Sequence, residues 1–235
     1  DGTDCVKNLE VTIKTRHGRI VPIMLSAVLL KDHENEIGSI GFFHDLTHTK
    51  KLEEISITDD LTGLYNRYYF HSMLTLELGR SERYIRPLTL VYFDLDHFKP
   101  YNDCFGHQKG DHVLRLVGLC CRQILRTQDY AFRVGGDEFS LLLVETELPD
   151  GIQVAERFRQ SFNEQWWQNM PLVCKNIKPI TLSLGAAEYQ RENHQDDPRV
   201  AADYLIKRAD MAMYEAKRAG GNRTVKARLR IGEEI

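Results

Sequence analysis

The stretch RVGGDEFSLLL, residues 133–143, decides the fold of most of this chain. Residues 130–134 and 139–144, on its two sides, are apolar runs of the length and composition of strands. Gly135 and Gly136 join them to Asp137 and Glu138, and both glycines are expected to supply the positive φ of a tight turn and to let a ligand approach the backbone. The stretch predicts a β-hairpin whose tip carries two carboxylates.

A second acidic stretch, FDLDHFKPYNDCFGHQKGD (residues 93–111), follows a strand predicted at 88–95, whose continuous apolar character is typical of burial on both faces. Asp94 and Asp96 stand at its end, and residues two apart point to the same side of a strand. Buried carboxylates are costly unless they are paired or bind a metal, and oxygen ligands suit Mg²⁺. Alone, each acidic pair could be a solvated strand end or turn. Together, up to four carboxylates on neighbouring strands indicate metal-assisted phosphoryl transfer.

Strands and helices alternate after about residue 53, which predicts an α+β fold (an α/β sandwich) with a central, mostly antiparallel sheet flanked by helices. Helices are predicted at 110–126, 151–166 and 201–218, and further strands at 180–186 and 224–227. Asp60, Asn66 and Arg67 are interpreted as capping and ion-pair groups at the start of this region. His107 is a single histidine in a predicted loop, and it is interpreted as a structural residue and not as a metal ligand.

Residues 9–44 alternate between apolar and polar positions with turns near 17–18 and 32–35, which predicts an antiparallel β-meander. Together with DLTHTKKLEE (residues 45–54), it resembles the C-terminal part of a PAS sensor domain; the alternative is a small meander without a sensory role. The predicted organisation is a PAS-like part (1–45), a connecting helix capped by Asp45 or Thr47 (46–58), a second domain (59–228) and a tail (229–235).

The composition is that of a soluble globular protein, with 42% hydrophobic and 28% charged residues among 235. A net charge of −3 argues against a nucleic-acid partner. Five cysteines without CxxC spacing indicate reduced thiols, with Cys120 and Cys121 in the core. No apolar run approaches the ~18 residues of a membrane span. We expect a cytoplasmic fragment of a longer protein, which could be anchored to a membrane upstream.

The motifs together resemble the GGDEF diguanylate cyclase family over residues 53–228. They are DLTGLYNR (60–67), FDLDHFKPYND (93–103), GHQKGD (106–111), GGDEF (135–139) and ADMAMYEAKRAGGN (209–222). The resemblance implies a fold related to nucleotidyl cyclases and polymerase palm domains. It implies a homodimer that condenses two GTP into cyclic di-GMP and releases two pyrophosphates. It also implies two Mg²⁺ ions per half-site, with Mn²⁺ as an alternative ion.

The same resemblance implies residue roles. The metal ligands would be Asp94, the backbone carbonyl of Leu95, Asp137 and Glu138. Asp137, Glu138 and Lys217 would be the catalytic residues, and Asp137 would bind metal or accept the proton of the attacking 3′-hydroxyl. The substrate-binding residues would be Asn102 and Asp111 for guanine, with His97, Phe98, Lys99, Gly135, Gly136 and Lys217 around the nucleotide and its phosphates.

Two further features of the sequence can each be interpreted in more than one way. Arg126 and Asp129, in RTQD, match the family's RxxD inhibitory product site, but they could be a simple ion pair. Gly221 stands where family members often have arginine, so Arg218 or Arg223 is expected to contact phosphate instead. Rival functions are an inactive receptor for GTP or cyclic di-GMP and a cyclase that also uses ATP. The retained acidic residues disfavour the receptor, and Asp111 disfavours ATP.

Overall fold

The N-terminal residues form a three-stranded antiparallel sheet, as the alternation predicts. In the computed structural model, residues 5–16, 18–32, 35–47, 57–169, 178–190 and 198–228 are described, and the chain divides into units 1–56 and 57–235. The first unit contains β1 (Cys5–Lys14), β2 (Ile20–Asp32) and β3 (Asn35–Asp45), in that order across the sheet. Most of the predicted connecting helix, residues 48–56, lies outside the described residues, and so does the tail. The carboxylate of Asp45 accepts a hydrogen bond from the Thr47 N–H at 2.7 Å, as a helix cap would.

The second unit is an α+β sandwich, which confirms the predicted fold class. Its sheet has the order β4-β6-β7-β5-β8-β9, antiparallel at the centre and parallel at the edge pairs β4–β6 and β8–β9. The elements are β4 (Tyr65–Asn66), α1 (Arg67–Tyr84), β5 (Leu88–Asp96), α2 (Phe98–Phe105), α3 (His107–Ile124), β6 (Tyr130–Gly135), β7 (Glu138–Val144), α4 (Leu148–Asn169), β8 (Thr181–Glu188), α5 (Pro198–Arg218) and β9 (Arg223–Lys226).

Strand β5 is buried along its whole length, which confirms the interpretation of its apolar run. Val91 and Phe93 pack in one core with residues of α3 and α4. Leu90 and Tyr92 pack on the opposite face with residues of α1 and α5. Each fully buried large apolar side chain contributes roughly 1.5–3 kcal/mol. The paired cores therefore hold the C-terminal end of β5, and the aspartates on it, in a fixed position.

Helices α1 and α2 could not be bounded from the sequence pattern. The apolar stripe of α1 is interrupted by Glu77, which is buried and bonds to Arg80. Asn66 caps α1 by accepting a hydrogen bond from the Tyr69 N–H at 3.0 Å, as interpreted from the sequence. Helix α2 is short and has Pro100 in its first turn, where proline is tolerated. None of the helices in the described part of the chain combines the length and apolarity needed to cross a bilayer.

Cys120 and Cys121 lie in the core, as predicted. Burial raises the pKa of Cys120 to about 11, and burial also raises the pKa of Cys121. Both thiols therefore stay protonated and unreactive near neutral pH. Cys5 is also a free thiol, whereas Cys174 lies outside the described residues.

Candidate active site

Asp94 and Glu138 face each other across the centre of the sheet. They are direct partners in the antiparallel pairing of β5 with β7, so their side chains project on the same face. Asp94 is only 6% exposed, whereas Glu138 is exposed at the first position of β7. The register of two buried strands thus joins the two acidic stretches that the sequence places 44 residues apart.

The carboxylate of Asp94 is held at a cost in free energy. The pKa of Asp94 is raised to about 6, mainly by burial and also by the charges of Asp137 and Glu138, against the lowering effect of Lys217. The ammonium of Lys217, on the last turn of α5, lies 2.8 Å from the Asp94 carboxylate. A buried carboxylate beside two others is stabilised by a nearby cation. Lys217 supplies one positive charge, which is fewer than the three negative charges of these carboxylates.

The chemistry of these donors fits Mg²⁺, which prefers oxygen ligands. The described residues include no cluster of three or more acidic, histidine or cysteine side chains that could hold an ion by itself. This agrees with the usual binding of Mg²⁺ by one or two carboxylates together with substrate phosphates and water. The Leu95 carbonyl, the backbone ligand implied by the family resemblance, lies between the two aspartates of β5 along the chain.

Asp96 does not belong to this acidic group, contrary to the four-carboxylate expectation. Its carboxylate accepts hydrogen bonds from the hydroxyls of Thr181 and Ser183, both at 2.7 Å, and from the Asn222 N–H at 3.0 Å. These three donors satisfy the buried charge, so Asp96 ties β8 to the loop after α5 instead of facing a ligand. The strand pattern alone could not distinguish it from Asp94, because the donors come from distant segments; only the family resemblance had left Asp96 out of the ligand set.

Tyr92 is a site residue that the sequence did not reveal. It stands two residues before Asp94 on the same face of β5. Burial, followed by the charge of Glu138, raises the pKa of Tyr92 well above its usual value. Its hydroxyl therefore stays protonated near the Glu138 carboxylate. The i−2 spacing from Asp94 was the available signal.

The predicted hairpin is present, with one difference at the glycines. Strand β6 ends at Gly135 and β7 begins at Glu138, so Gly136 and Asp137 form the tip. Only Gly136 has a positive φ, +42°, so the expectation of positive φ at both glycines was wrong. A β-carbon on Gly135 would meet no atom within 4 Å, so open space lies beside the backbone there. A ligand could approach the backbone at this point.

Arg133 fastens the hairpin tip to the turn before α1. Its Nε and Nη2 atoms donate to the Gly136 carbonyl at 3.0 and 2.8 Å, and its Nη1 lies 3.2 Å from the Asp59 carboxylate. The ion pair of this turn thus involves Asp59, whereas Asp60, interpreted from the sequence as a capping or ion-pair group, is exposed. Nothing in the sequence pattern marked Arg133 as a partner of the hairpin.

The start of α2 forms a second edge of the site. His97, which directly precedes α2, has a left-handed backbone with φ +64°, a conformation uncommon outside glycine. Such backbones concentrate at functional sites. Phe98 is buried, and Lys99 is exposed in the first turn. The first N–H groups of a helix lack intrahelical partners and attract anions. His107, at the start of α3, is also exposed.

Asn102 and Asp111 come from adjoining helices α2 and α3 and are both half-buried. The side-chain oxygen of Asn102 is buried without a hydrogen-bond partner. It lies over Gly110, where an added β-carbon would be 1.9 Å from it. An unpaired buried oxygen costs roughly 1–3 kcal/mol, so this atom is expected to accept a hydrogen bond from a ligand. The space for it exists because residue 110 is glycine.

Gly221 differs from the arginine of many relatives for a structural reason. Its φ is +74°, and a β-carbon would lie 2.7 Å from the Asp96 carboxylate. An arginine there would require a different path of the loop. Arg223, one of the two proposed substitutes, donates to the Gly221 carbonyl at 3.2 Å, whereas Arg218 is exposed at the end of α5.

Arg126 and Asp129 lie beyond the end of α3, lining a cavity of about 400 Å³. The Asp129 carboxylate accepts hydrogen bonds from the backbone N–H groups of Arg126 and Val144, both at 3.2 Å. Burial raises its pKa, although these hydrogen bonds act in the opposite direction. The ion pairs of the described residues do not include one between these two side chains, and Arg126 is exposed. Its guanidinium is therefore available to a ligand.

The family assignment follows from direct comparison with known proteins. The family model for the diguanylate cyclase GGDEF domain matches residues 56–223. The chain belongs to the GGDEF diguanylate cyclase family. This GGDEF protein is 36% identical over 181 residues to diguanylate cyclase DgcP of Pseudomonas aeruginosa. The match covers 77% of this chain and 25% of DgcP.

Other GGDEF proteins show the same relation. The chain is 34% identical over 224 residues to the response regulator PleD of Caulobacter vibrioides, which covers 94% of this chain and 46% of PleD. A crystal structure of the coiled coil and GGDEF domain of DgcB from Caulobacter crescentus, in complex with c-di-GMP, matches with a TM-score of 0.63 and 28% identity. That match covers 77% of this chain and 90% of the other. The chain spans less than half the length of DgcP and PleD.

Proposed function

We propose that the chain is a diguanylate cyclase that condenses two GTP into cyclic di-GMP and releases two pyrophosphates. The observation that carries this proposal is the buried Asp94 carboxylate, which faces Glu138 beside the glycine hairpin and pairs with the ammonium of Lys217. Such a site suits an incoming metal–triphosphate, because the cation is stabilised by the carboxylates and the anion by the lysine.

Asp94, the Leu95 carbonyl, Asp137 and Glu138 would hold Mg²⁺, or Mn²⁺ in its place, with two ions per half-site. The ions would neutralise phosphate charge and lower the pKa of the attacking 3′-hydroxyl. Asp137, half-buried at the hairpin tip, would bind metal or accept that proton. Lys217 would turn from Asp94 to the phosphates once Asp94 is shared with an ion. Tyr92, whose protonated hydroxyl lies near Glu138, would help to orient that carboxylate.

The nucleotide would lie between the hairpin and α2. Gly135 and Gly136 would pass close to the sugar and phosphates, and the backbone at His97 and Phe98, with Lys99, would bind the terminal phosphates. The unpaired oxygen of Asn102 and the carboxylate of Asp111 would read guanine, since its N1–H and amino group both donate. Arg218 and Arg223 are both exposed and remain the alternatives proposed for an additional phosphate contact.

Asp111→Ala is expected to weaken GTP binding by roughly 1–3 kcal/mol, since it leaves guanine donors without a partner in a half-buried pocket. ATP is expected to be a poor substrate of the unchanged protein. Titration calorimetry with a non-hydrolysable GTP analogue measures the first effect, and turnover assays measure the second. Equal turnover of ATP and GTP would favour a mixed cyclase.

The active species is proposed to be a homodimer, because each domain binds one GTP. The 3′-hydroxyl of each GTP attacks the α-phosphate of the GTP that is bound to the other domain. Activity per mole at saturating GTP is therefore expected to rise with protein concentration until dimers predominate. A dilution series with light scattering tests this. Constant activity per mole from a protein that scatters as a monomer would contradict it.

Feedback by cyclic di-GMP is proposed at Arg126 and Asp129. The exposed guanidinium can bind the O6 and N7 edge of guanine, and the Asp129 oxygens keep lone pairs beyond those used by the backbone. Inhibition at a site separate from the substrate pocket is allosteric, and it is expected to be non-competitive with GTP.

Arg126→Ala is expected to relieve this inhibition while GTP turnover is preserved. Calorimetry with product-free protein measures the binding of cyclic di-GMP directly. Equal affinity in the wild type and in Arg126→Ala would exclude the inhibitory site. Arg126 would then be a solvated side chain at the end of α3, and Asp129 only a cap of that turn.

The decisive test of the function is to incubate the protein with GTP and Mg²⁺ and to identify the products by mass. Cyclic di-GMP and pyrophosphate in a 1:2 ratio are expected from the balanced reaction. Binding of GTP or cyclic di-GMP without turnover would indicate the inactive receptor. The retention of Asp94, Asp137, Glu138 and Lys217 supports the enzyme.

The three-stranded sheet of the N-terminal unit is proposed to be part of a PAS-like sensor that regulates the cyclase through residues 46–58. The proposed boundaries remain 1–45, 46–58 and 59–228. The cytoplasm is the proposed location, because GTP is available there and free thiols stay reduced.

A further inference from the structure

The side chain of Arg133 links Asp59 to Gly136, two residues that are 77 positions apart in the sequence. One side of its guanidinium donates twice to the Gly136 carbonyl, and the other lies against the Asp59 carboxylate. The side chains of Arg133 and Asp59 are only 16% and 23% exposed. Partial burial reduces screening, so this ion pair is stronger than one on the open surface.

The Gly136 carbonyl belongs to the peptide that links Gly136 to Asp137. A peptide is planar, so fixing its oxygen also fixes its N–H and the bond to the Asp137 α-carbon. Glycine is the most conformationally free residue, and the β6–β7 pairing is irregular between Arg133 and Gly135. Strand pairing alone therefore restrains the tip weakly, and Arg133 supplies a restraint at the residue next to Asp137.

Asp59 is itself held firmly in its turn. Its carboxylate accepts hydrogen bonds from the Thr62 N–H at 2.9 Å and the Thr62 hydroxyl at 2.7 Å, and its own N–H donates to the Leu64 carbonyl at 2.7 Å. It directly follows residues 46–58, the predicted connecting helix. Ile57 and Thr58, which precede Asp59, pair with β4, because the Asn66 N–H donates to the Ile57 carbonyl at 3.0 Å and Thr58 bridges to Tyr65. A displacement that moves the Asp59 turn would be passed through Arg133 to the peptide before Asp137.

We propose that Arg133 is a positioning residue that orients the Gly136–Asp137 peptide for catalysis and couples it to the Asp59 turn at the start of the cyclase domain. The inference rests on the proposed cyclase function and adds to it a residue that acts through the hairpin backbone. If the ion pair only stabilised the fold, its removal would lower the melting temperature but leave the turnover of the folded protein unchanged.

The kinetic test uses Arg133→Gln, Arg133→Lys, Asp59→Asn and the double variant Arg133→Gln/Asp59→Asn. Arg133→Gln is expected to lower kcat about 10- to 100-fold, because small misplacements of a reacting group have effects of that size, while KM for GTP changes by less than about threefold. Arg133→Lys should retain part of the rate, since one ammonium cannot bind both acceptors. The double variant should be no worse than Arg133→Gln alone.

Arg86→Gln is the matched control, because Arg86 pairs with Glu145 beyond the opposite end of β5. Its kcat is expected to equal that of the wild type. All rates are referred to the folded fraction, measured by thermal melting at the assay temperature. A wild-type kcat in Arg133→Gln, or a strictly additive double variant, would overturn the coupling.

Hydrogen exchange provides a readout that does not require catalysis. The amides of Asp137 and Glu138 are expected to exchange faster in Arg133→Gln and Asp59→Asn than in the wild type and Arg86→Gln. If the wild type makes no cyclic di-GMP, the cyclase function fails, and the exchange rates alone decide the coupling. Unchanged exchange in both variants would overturn the coupling even in an active enzyme.

Discussion

Asp137→Asn is expected to reduce the formation of cyclic di-GMP by about 100- to 10 000-fold, the usual contribution of a positioned proton acceptor. Asparagine has nearly the same shape but cannot take the proton of the 3′-hydroxyl and is a weaker ligand for Mg²⁺. The position is a half-buried turn residue outside the hydrophobic cores. Its replacement should therefore change the stability of the fold by no more than about 0.5 kcal/mol.

Asp150→Asn is the control for this prediction, because Asp150 is an exposed carboxylate in the first turn of α4, following the far end of β7. It should keep wild-type turnover. Initial rates and thermal melts of the wild type and both variants are needed. Near-normal turnover in Asp137→Asn would remove Asp137 from the proposed mechanism, and loss of the fold would show a structural role.

Asp94→Asn is expected to abolish turnover and yet to stabilise the metal-free protein at pH 7.5. The pKa of Asp94 is about 6 in the folded protein, against 3.8 for an ordinary aspartate, mainly because of burial. The difference corresponds to about 3 kcal/mol that the folded protein loses when Asp94 ionises. Asparagine avoids this loss, and the partly exposed Lys217 can turn to solvent.

The sign of the pH dependence follows from the raised pKa. The stabilising contribution of protonated Asp94 is complete below pH 3.8 and is lost as the pH rises through about 6. Urea unfolding with EDTA between pH 4 and 8 should therefore show a fall in stability in the wild type that is reduced in Asp94→Asn. Adding Mg²⁺ with a GTP analogue should stabilise the wild type only. A variant less stable than the wild type at pH 7.5 would contradict this explanation.

The strands and the hairpin were predictable because local patterns determine them. The apolar run of β5 and the two runs around Gly135 each identify a strand without knowledge of partners. The match of several short motifs in order also indicated the family. Cys120 was assignable to the core for the same reason, since the apolar periodicity of α3 places it on the buried face.

The divergent roles of Asp94 and Asp96 could not be predicted from the strand pattern, although the family resemblance implied only Asp94 as a metal ligand. Both occupy the same face of β5 two residues apart, and only the hydroxyls of β8 make Asp96 a structural group. Helix α1 was obscured because Glu77 interrupts its apolar stripe and finds its partner in Arg80. Hydrogen-bond partners distant in sequence decide such cases, and alternation patterns carry no information about them.

The amino-acid sequence by itself determined the α+β class, the acidic hairpin and the family, because each depends on residues that are neighbours along the chain. Only the tertiary structure decided which carboxylates face a ligand, which glycine needs a positive φ, and how Arg133 ties Asp59 to Gly136. Those features depend on strand register and on the close approach of separate segments. A buried charge or carbonyl is satisfied by whatever donors the fold brings within about 3 Å, whatever their distance in sequence.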